Sequence, residues 1–292
     1  MKKLLILGAT GMAGHMLYNH FKSNRKYEVY NTCFREKADE SSIILNIRDE
    51  KAVKEIIKRV NPDYVINCVG ILIKGSKQSV ENCVYVNSYF PHFVSRIIKE
   101  NNSDAKFIHI STDCVFSGSK GMYKDTDIKD ALDTYGMSKN LGEVINETDL
   151  TVRTSIIGPE LKKDGEGLFH WLCIQPRKSH INGYTKTIWG GVTTLELAKA
   201  VDALLENNIT GLYQLSNSTP INKYDLLALI NTTFDLGITI EKVDGPDVNK
   251  SILNTQLDNF MYTVPGYDEM INELFTYMTK NNSLYEQYLR KK

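Results

Sequence analysis

The sequence lacks an excess of charge of either sign. Its 35 lysine and arginine residues balance 35 aspartate and glutamate residues over 292 positions, so the formal net charge at pH 7 is zero. A neutral chain has no electrostatic footprint for nucleic acid or for an anionic membrane surface. We therefore expect neither a nucleic-acid partner nor a membrane partner.

Cysteines and long hydrophobic runs are also scarce. The five cysteines show no CxxC pair and no metal-ligand spacing, which argues against a disulfide framework and against a metal site. A reducing, cytoplasmic location is expected. No segment approaches the roughly 20 apolar residues that span a bilayer. The apolar run from Leu4 to Leu7 stops at Gly8, too early for a secretory signal. The cysteines are Cys33, Cys68, Cys83, Cys114 and Cys173.

Over the first 155 residues, short apolar segments alternate with helical patterns. This alternation predicts crossover units and a parallel sheet with helices on both faces. Strands are predicted at 4–7, 28–34, 64–67, 106–110 and 150–154, and helices at 12–21, 50–60, 80–98 and 134–147. The expected fold is α/β, a Rossmann-type doubly wound parallel sheet with a smaller α/β C-terminal substrate domain.

The domain boundary is predicted near residue 158, where the regular alternation ends. Residues 1–158 are predicted to form the dinucleotide-binding domain and residues 159–292 a substrate-binding region. A helical pattern at 193–205 and an apolar run at 212–216 make residues 192–217 a candidate for return to the first domain. The two regions are therefore expected to interleave.

A glycine turn follows the first predicted strand. Gly8, Gly11 and Gly14 form a GxxGxxG pattern between that strand and a predicted helix. Glycine permits a tight turn and a close approach of backbone amides to a pyrophosphate at a helix N-terminus. The position of the pattern favours dinucleotide binding over a turn without a ligand.

The end of the second predicted strand bears on the choice of cofactor. NAD-binding proteins usually place an acidic residue there, and this chain has none between Tyr30 and Arg35. Arg35 suits the 2′-phosphate of NADP, so NADPH is favoured, with NADH as the alternative. The competing interpretation of Arg35 is a solvated loop charge.

Tyr135 and Lys139 lie four residues apart, which places them on one face of a helix. A nearby ammonium group would lower the pKa of a phenol from about 10. The same spacing also arises by chance on helix surfaces. The strand ending at Ile110, with Ser111 and Thr112 directly after it, strengthens the functional interpretation, because ligands bind at the carboxyl ends of parallel strands.

Several motifs together resemble the extended short-chain dehydrogenases, and most closely the dTDP-4-dehydrorhamnose reductase branch. The matching segments are GATGMAG (8–14), NPDYVINCVG (61–70), Val86-Asn87, ISTDCVFSG (110–118), YGMSKNLGE (135–143) and VRTSIIGPE (152–160). They span about 155 residues of the chain. The segment from Trp189 to Val201 is similar to the family more weakly.

The resemblance implies a catalytic set of Thr112, Tyr135 and Lys139. Tyr135 would protonate the carbonyl oxygen as hydride arrives, and Thr112 would hold the same oxygen by a hydrogen bond. Lys139 would bind the nicotinamide ribose and lower the pKa of Tyr135. Asp113 is a candidate contact of the sugar.

The resemblance also implies positions along the cofactor. The pyrophosphate would be bound by Gly8, Thr10, Gly11 and Met12. The adenine would contact Asn46 and Ile47. The cofactor path at the next strand end would be lined by Cys68, Val69 and Gly70. Arg177 and Trp189 are candidate substrate residues, whereas His109, inside an apolar strand, is interpreted as a core histidine.

The implied activity is NADPH-dependent reduction of the 4-keto group of a nucleotide-linked 4-keto-6-deoxyhexose for cell-surface polysaccharide synthesis. Ile156 stands where the family commonly has an aromatic residue, so the substrate alternatives are dTDP-4-dehydrorhamnose and a UDP-linked N-acetyl analogue. The alternative functions are an NAD-dependent nucleotide-sugar epimerase and a non-catalytic dinucleotide-binding regulatory subunit. A homodimer is the assembly that the resemblance implies.

Overall fold

A computed structural model describes residues 1–102 and 104–289. A seven-stranded sheet has the strand order β11-β6-β5-β4-β1-β2-β3, and the pairs β1–β2, β1–β4, β4–β5 and β2–β3 are parallel. Its strands are β1 (Lys2–Leu7), β2 (Tyr27–Cys33), β3 (Ile43–Ile44), β4 (Tyr64–Asn67), β5 (Lys106–Thr112), β6 (Leu150–Thr154) and β11 (Gly211–Gln214).

Eleven α-helices occur in the described residues. They are α1 (Met12–Ser23), α2 (Glu50–Val60), α3 (Ile73–Gln78), α4 (Val80–Val84), α5 (Phe90–Asn101), α6 (Thr134–Leu141), α7 (Leu168–Cys173), α8 (Thr194–Glu206), α9 (Lys223–Thr233), α10 (Tyr267–Lys280) and α11 (Asn282–Tyr285). A π-helical segment (Tyr85–Tyr89) joins α4 to α5, and a short 3₁₀ turn (Asp113–Val115) follows β5. None of the helices in residues 1–102 and 104–289 has the length and apolar character needed to cross a membrane.

Helices cover both faces of the large sheet. Strand side chains alternate between faces, so Leu5 and Leu7 join one core with α2 and α5. On the opposite face, α1 contacts β1 and β2, and its His20 bonds Asp202 of α8 at 3.0 Å. The predicted Rossmann-type doubly wound sheet is therefore confirmed, because buried apolar residues fill both of its faces.

Three small sheets lie in the C-terminal part of the chain. The short strands β7 and β10 are parallel, β9 pairs with β12 and β14, and β8 pairs with β13. The strands are β7 (Ile156–Ile157), β8 (His180–Tyr184), β9 (Thr187–Trp189), β10 (Val192–Thr193), β12 (Ile221–Asn222), β13 (Thr239–Val243) and β14 (Val248–Asn249).

Contacts between Cα atoms divide the chain into two compact units. The first comprises Met1–Phe116, Ile128–Arg153 and Val201–Tyr213, and the second comprises Ser117–Asp127, Thr154–Ala200 and Gln214–Lys292. The division differs from the boundary predicted at residue 158 for residues 117–127 and 154–158, which group with the second unit. Of the segment 192–217, predicted to return to the first domain, residues 201–213 group with the first unit. The binding roles assigned to the two domains stay predictions.

The helix predicted at 134–147 ends earlier, because its next turn has no room. α6 ends at Leu141, with Gly142 as its C-cap. A Cβ atom at Gly142 would lie 1.8 Å from the backbone oxygen of Asn87, so the backbones at residues 87 and 142 are in direct contact. The apolar residues Val144 and Ile145 suggested a longer helix, but they follow this cap.

Candidate active site

Loops after three adjacent strands of the first unit meet at one edge of the large sheet. Gly8 follows β1, Cys68 follows β4, and Thr112 ends β5. These strands are neighbours and parallel, so their carboxyl ends share that edge. The glycine turn and the Thr112 hydroxyl, predicted separately from the sequence, therefore belong to one region.

The glycine turn between β1 and α1 is built for close backbone approach. Gly8 has φ of +82°, a backbone conformation that residues with a side chain rarely adopt. A Cβ atom at Gly14 would lie only 2.1 Å from the oxygen of Gly8. Gly11 is the N-cap of α1 and provides no side-chain acceptor for the first turn. The turn thus fits a pyrophosphate, which would accept from the free amides of the helix N-terminus.

Two buried asparagines fix the segment that follows β4. Its residues 68–70, predicted to line the cofactor path, are called the cofactor loop. Asn67 Oδ1 accepts a hydrogen bond from Val69 N at 3.1 Å, and Asn87 Oδ1 accepts from Ile71 N at 2.8 Å. A Cβ atom at Gly8 would lie 3.0 Å from Val69 Cγ2, so the glycine turn packs directly against this loop. Neither asparagine was assigned a role from the sequence.

α6 approaches the end of β5 closely, which brings the Tyr135 phenol near the Thr112 hydroxyl. A Cβ atom at Gly136 would lie 2.2 Å from the Cys114 oxygen, so glycine is required for this contact. The Thr112 hydroxyl lies close enough to the Tyr135 phenol to lower its pKa by hydrogen bonding. Thr112 Oγ1 also donates to Asp113 Oδ1 and accepts from Cys114 N, each at 3.1 Å.

The expectation that Tyr135 is unusually acidic is wrong for the polypeptide alone. Burial raises the pKa of the Tyr135 phenol, the Cys114 thiol raises it further, and the hydrogen bond with Thr112 opposes both. The phenol therefore stays protonated at neutral pH. This is the state that a proton donor needs.

Lys139 is buried one turn after Tyr135, with its amine held by β5. Its Nζ donates to the Ile110 oxygen at 2.7 Å and lies 3.2 Å from His109 Nε2. Burial lowers the pKa of Lys139 to about 8, although the Glu143 carboxylate favours the charged form. Its orientation is fixed by protein groups before any ligand binds.

Sequence reasoning missed or set aside five residues near the site, namely Asn67, Asn87, His109, Glu143 and Arg153. His109 contacts Lys139, and Asn67 contacts His109. Glu143 accepts from Ser111 Oγ and from Arg153, two buried side chains. The available signal was the alternation along β5, which places residues 107, 109 and 111 on one face.

The candidate adenine and 2′-phosphate residues lie on the surface of the first unit. Arg35 is exposed and its guanidinium lies 5.3 Å from the ring of Phe34. Asn46 Oδ1 accepts from Arg48 N at 3.1 Å, and the Ile47 oxygen accepts from Tyr85 at 3.2 Å. Their assignment to the cofactor stays a prediction, as does that of Thr10 and Met12, which are half-buried.

The two candidate substrate residues of the second unit have protein partners. Arg177 Nη1 donates to the Asp235 oxygen at 2.9 Å. Trp189 is buried, and its Nε1 donates to Ser155 Oγ at 2.9 Å. These contacts explain both side chains structurally, and their substrate roles stay predictions. Within the described residues, no cluster of three or more His, Cys, Asp or Glu side chains is arranged to hold a metal ion.

The fold is that of the extended short-chain dehydrogenases/reductases. Residues 1–245 match the family described as the RmlD substrate binding domain, so the chain belongs to that family.

Two curated relatives and one solved structure illustrate the range of similar proteins. The methionine adenosyltransferase 2 subunit beta of Xenopus tropicalis is 24% identical over 252 residues, which cover 80% of this chain and 73% of the relative. A dTDP-4-dehydrorhamnose reductase of Aggregatibacter actinomycetemcomitans is 32% identical over 161 residues, covering 53% of this chain and 51% of that protein. The dTDP-4-dehydrorhamnose reductase of Bacillus anthracis in complex with NADP has a TM-score of 0.81 at 20% identity, covering 95% of this chain and 99% of that one.

Proposed function

We propose that the chain reduces the 4-keto group of a nucleotide-linked 4-keto-6-deoxyhexose with NADPH, in the synthesis of a cell-surface polysaccharide. The observation that carries the proposal is the placement of the Thr112 hydroxyl beside the Tyr135 phenol, with Lys139 one turn further along α6. The sugar is dTDP-4-dehydrorhamnose or a UDP-linked N-acetyl analogue. The similarity to reductases named for the first of these sugars supports the proposal.

In this proposal each site residue has a defined task. The dinucleotide, when bound, supplies the hydride. Tyr135 donates its phenolic proton to the carbonyl oxygen, and Thr112 donates a hydrogen bond to the same oxygen as negative charge develops. Lys139 directs its remaining N–H toward the nicotinamide ribose, and Asp113 contacts the sugar.

The remaining cofactor residues bind without taking part in the chemistry. Gly8, Thr10, Gly11 and Met12 hold the pyrophosphate at the N-terminus of α1. Arg35 meets the 2′-phosphate, because its guanidinium forms a planar pair of donors. Asn46 and Ile47 border the adenine, and the cofactor loop lines the path between the two ends.

A second candidate function is a non-catalytic dinucleotide-binding regulatory subunit. The similarity to methionine adenosyltransferase 2 subunit beta over 80% of this chain favours it. The two functions differ in turnover: a regulatory subunit binds the dinucleotide without consuming it.

The deciding experiment is a panel of dTDP- and UDP-linked 4-keto-6-deoxy sugars, each incubated with NADPH and with NADH. Loss of cofactor absorbance identifies the accepted substrate, and NMR of the product gives its stereochemistry. We expect oxidation of NADPH with at least one sugar. Tight dinucleotide binding without oxidation by any sugar of the panel would favour the regulatory function.

A further inference from the structure

A chain of buried polar contacts runs from Lys139 to the cofactor loop. His109 is fully buried in β5, and its Nε2 lies 3.2 Å from Lys139 Nζ. Its Nδ1 lies 3.2 Å from Asn67 Nδ2, and the oxygen of that amide accepts from Val69 N. One imidazole therefore joins the catalytic lysine to the backbone of residue 69.

No single assignment of protons gives every N–H group of Lys139, His109 and Asn67 an acceptor. Burial, followed by the charges of Lys139 and His92, holds the pKa of His109 well below its usual range, so the ring is neutral and accepts at one nitrogen. Yet both neighbours, the Lys139 ammonium and the Asn67 amide nitrogen, are donors. A neutral ring satisfies only one of them.

Two arrangements resolve this conflict. In the first, Lys139 is an uncharged amine that accepts from Nε2–H, and Asn67 donates to Nδ1. In the second, the Lys139 ammonium donates to Nε2, the ring proton moves to Nδ1, and the Asn67 amide turns its oxygen toward it. The second arrangement removes the acceptor from Val69 N, a group beside the glycine turn.

We propose that His109 is a positioning residue that couples the protonation of Lys139 to the conformation of the cofactor loop through Asn67. The proposal rests on the function proposed above and specifies how that site is set for its dinucleotide. In the charged arrangement, Lys139 keeps one N–H for the ribose, and Val69 N becomes available as a donor to the ligand.

The coupling depends on the groups that face Lys139 from each neighbouring element. They are Glu143 just after α6, Cys68 after β4, Cys83 on α4 and His109 on β5. Burial lowers the pKa of Lys139 to about 8, so both arrangements are accessible near physiological pH. Dinucleotide binding is expected to favour the charged one and to weaken as pH rises through this value.

The first test is fluorescence titration with NADPH between about pH 6 and about pH 10. His109→Leu removes the acceptor, so we expect roughly tenfold weaker binding and a lower midpoint of the pH profile. His109→Gln keeps a carbonyl acceptor and should restore most of the affinity. Phe107→Leu, a ring loss on the same face of β5, is the matched control and should leave the midpoint unchanged.

The second test is NMR of ¹⁵N-histidine in the protein without dinucleotide, with His109→Gln identifying the signal. We expect the favoured tautomer of a neutral His109 to change near pH 8 in the wild type and not in Lys139→Met. This NMR test does not use His109→Leu, so it also gives a result if that variant fails to fold.

Two results would overturn the coupling. One is a single tautomer throughout the pH range, and the other is a His109→Leu profile equal to that of Phe107→Leu. A tautomer change in a wild type that binds no NADPH would support the coupling and reject the proposed function.

Discussion

Tyr135 combines partial burial with a hydroxyl partner. Burial raises the pKa of its phenol, and the Thr112 hydroxyl lies within hydrogen-bond reach. Below this raised pKa the phenol keeps its proton, so ionisation of Tyr135 does not limit a reductase at neutral or mildly alkaline pH. The same proton is the one that an incoming alkoxide would take.

We therefore expect Tyr135→Phe to lower kcat by roughly 10²- to 10⁴-fold, the usual contribution of a positioned proton donor. NADPH affinity should remain near the wild-type value, because the phenol does not hold the dinucleotide alone. Steady-state kinetics and fluorescence titration measure the two quantities separately. Tyr89→Phe, a change at an exposed tyrosine on the π-helical segment, is the control. Equal turnover in Tyr135→Phe and wild type would remove the proposed acid.

At the scale of elements, the glycine turn depends on the contact between α1 and the end of β1. The helix can begin where it does only because Gly14 has no side chain facing the Gly8 carbonyl. A methyl group there pushes the first turn of α1 away from the sheet, and the amides of that turn move with it.

Gly14→Ala should lower the free energy of unfolding by about 2 kcal/mol, within the range observed for overpacked sites. It should also weaken NADPH binding, since the pyrophosphate amides shift. Urea unfolding and dinucleotide titration test both effects. Gly266→Ala is the control, because nothing lies within 4 Å of a Cβ atom at that position. A Gly14→Ala protein as stable as the control would mean that the turn adapts without cost.

A buried ion pair holds the segment after α6 against the large sheet. Glu143 receives hydrogen bonds from Arg153 Nε at 2.8 Å and Nη2 at 2.7 Å, and both side chains are fully buried. Ser111 donates to the same carboxylate. The pair thereby ties the segment after Lys139 to β5 and β6.

Glu143→Gln leaves the Arg153 guanidinium buried without its counter-ion. We expect a loss of about 3 kcal/mol in the free energy of unfolding, as for other broken buried pairs. Chemical denaturation at constant pH measures it. Glu206→Gln interrupts the exposed pair with Lys26 and should change stability little. Similar values for the two variants would show that Arg153 finds another acceptor.

Pattern alone predicted the elements that local sequence determines. The strands at 64–67 and 150–154 occupy the predicted residues, because apolar runs bounded by polar or breaking residues specify them. The end of α6 was not predictable, since it depends on the Asn87 backbone more than 50 positions away. The π-helical segment at Tyr85–Tyr89 lies in the stretch predicted as one long helix.

The same distinction applies to the site. Strand ends and the family resemblance together predicted Thr112, Tyr135 and Lys139 as one set, because a parallel sheet brings strand ends together, and their catalytic roles stay predictions. The raised pKa of Tyr135 and the contact between His109 and Lys139 depend on side-chain packing between elements far apart in sequence. Periodicity marks His109 as buried but does not identify its neighbour.

For the whole molecule, equal numbers of positive and negative residues shape the response to pH. Because the net charge is zero at pH 7, general charge repulsion is small there, and buried ionisable groups dominate the change of stability. Lys106 is such a group. It is buried at the start of β5, its Nζ donates to Asn208 Oδ1 at 3.1 Å, and burial lowers its pKa to about 8.

The direction of its effect follows from proton counts. Between about pH 8 and about pH 10, Lys106 is charged in the unfolded chain and largely neutral in the folded protein. The unfolded state then binds more protons, so stability rises with pH across this window. Above it, tyrosines such as Tyr27, whose pKa burial raises, retain protons that the unfolded chain releases, and stability falls again.

We expect the free energy of unfolding of the wild type to rise between pH 7.5 and 9.5 by about 2 kcal/mol more than that of Lys106→Met. Lys106→Met also loses the hydrogen bond to Asn208. Because each protein is compared with itself at the two pH values, the free energy of that lost bond cancels. Urea unfolding at both pH values provides the data, with Lys51→Met on the exposed side of α2 as the control. Lys139 contributes in the same direction in all three proteins, so the difference isolates Lys106. Parallel pH profiles for wild type and Lys106→Met would show that Lys106 stays charged in the folded protein, with water or Asp149 compensating its burial.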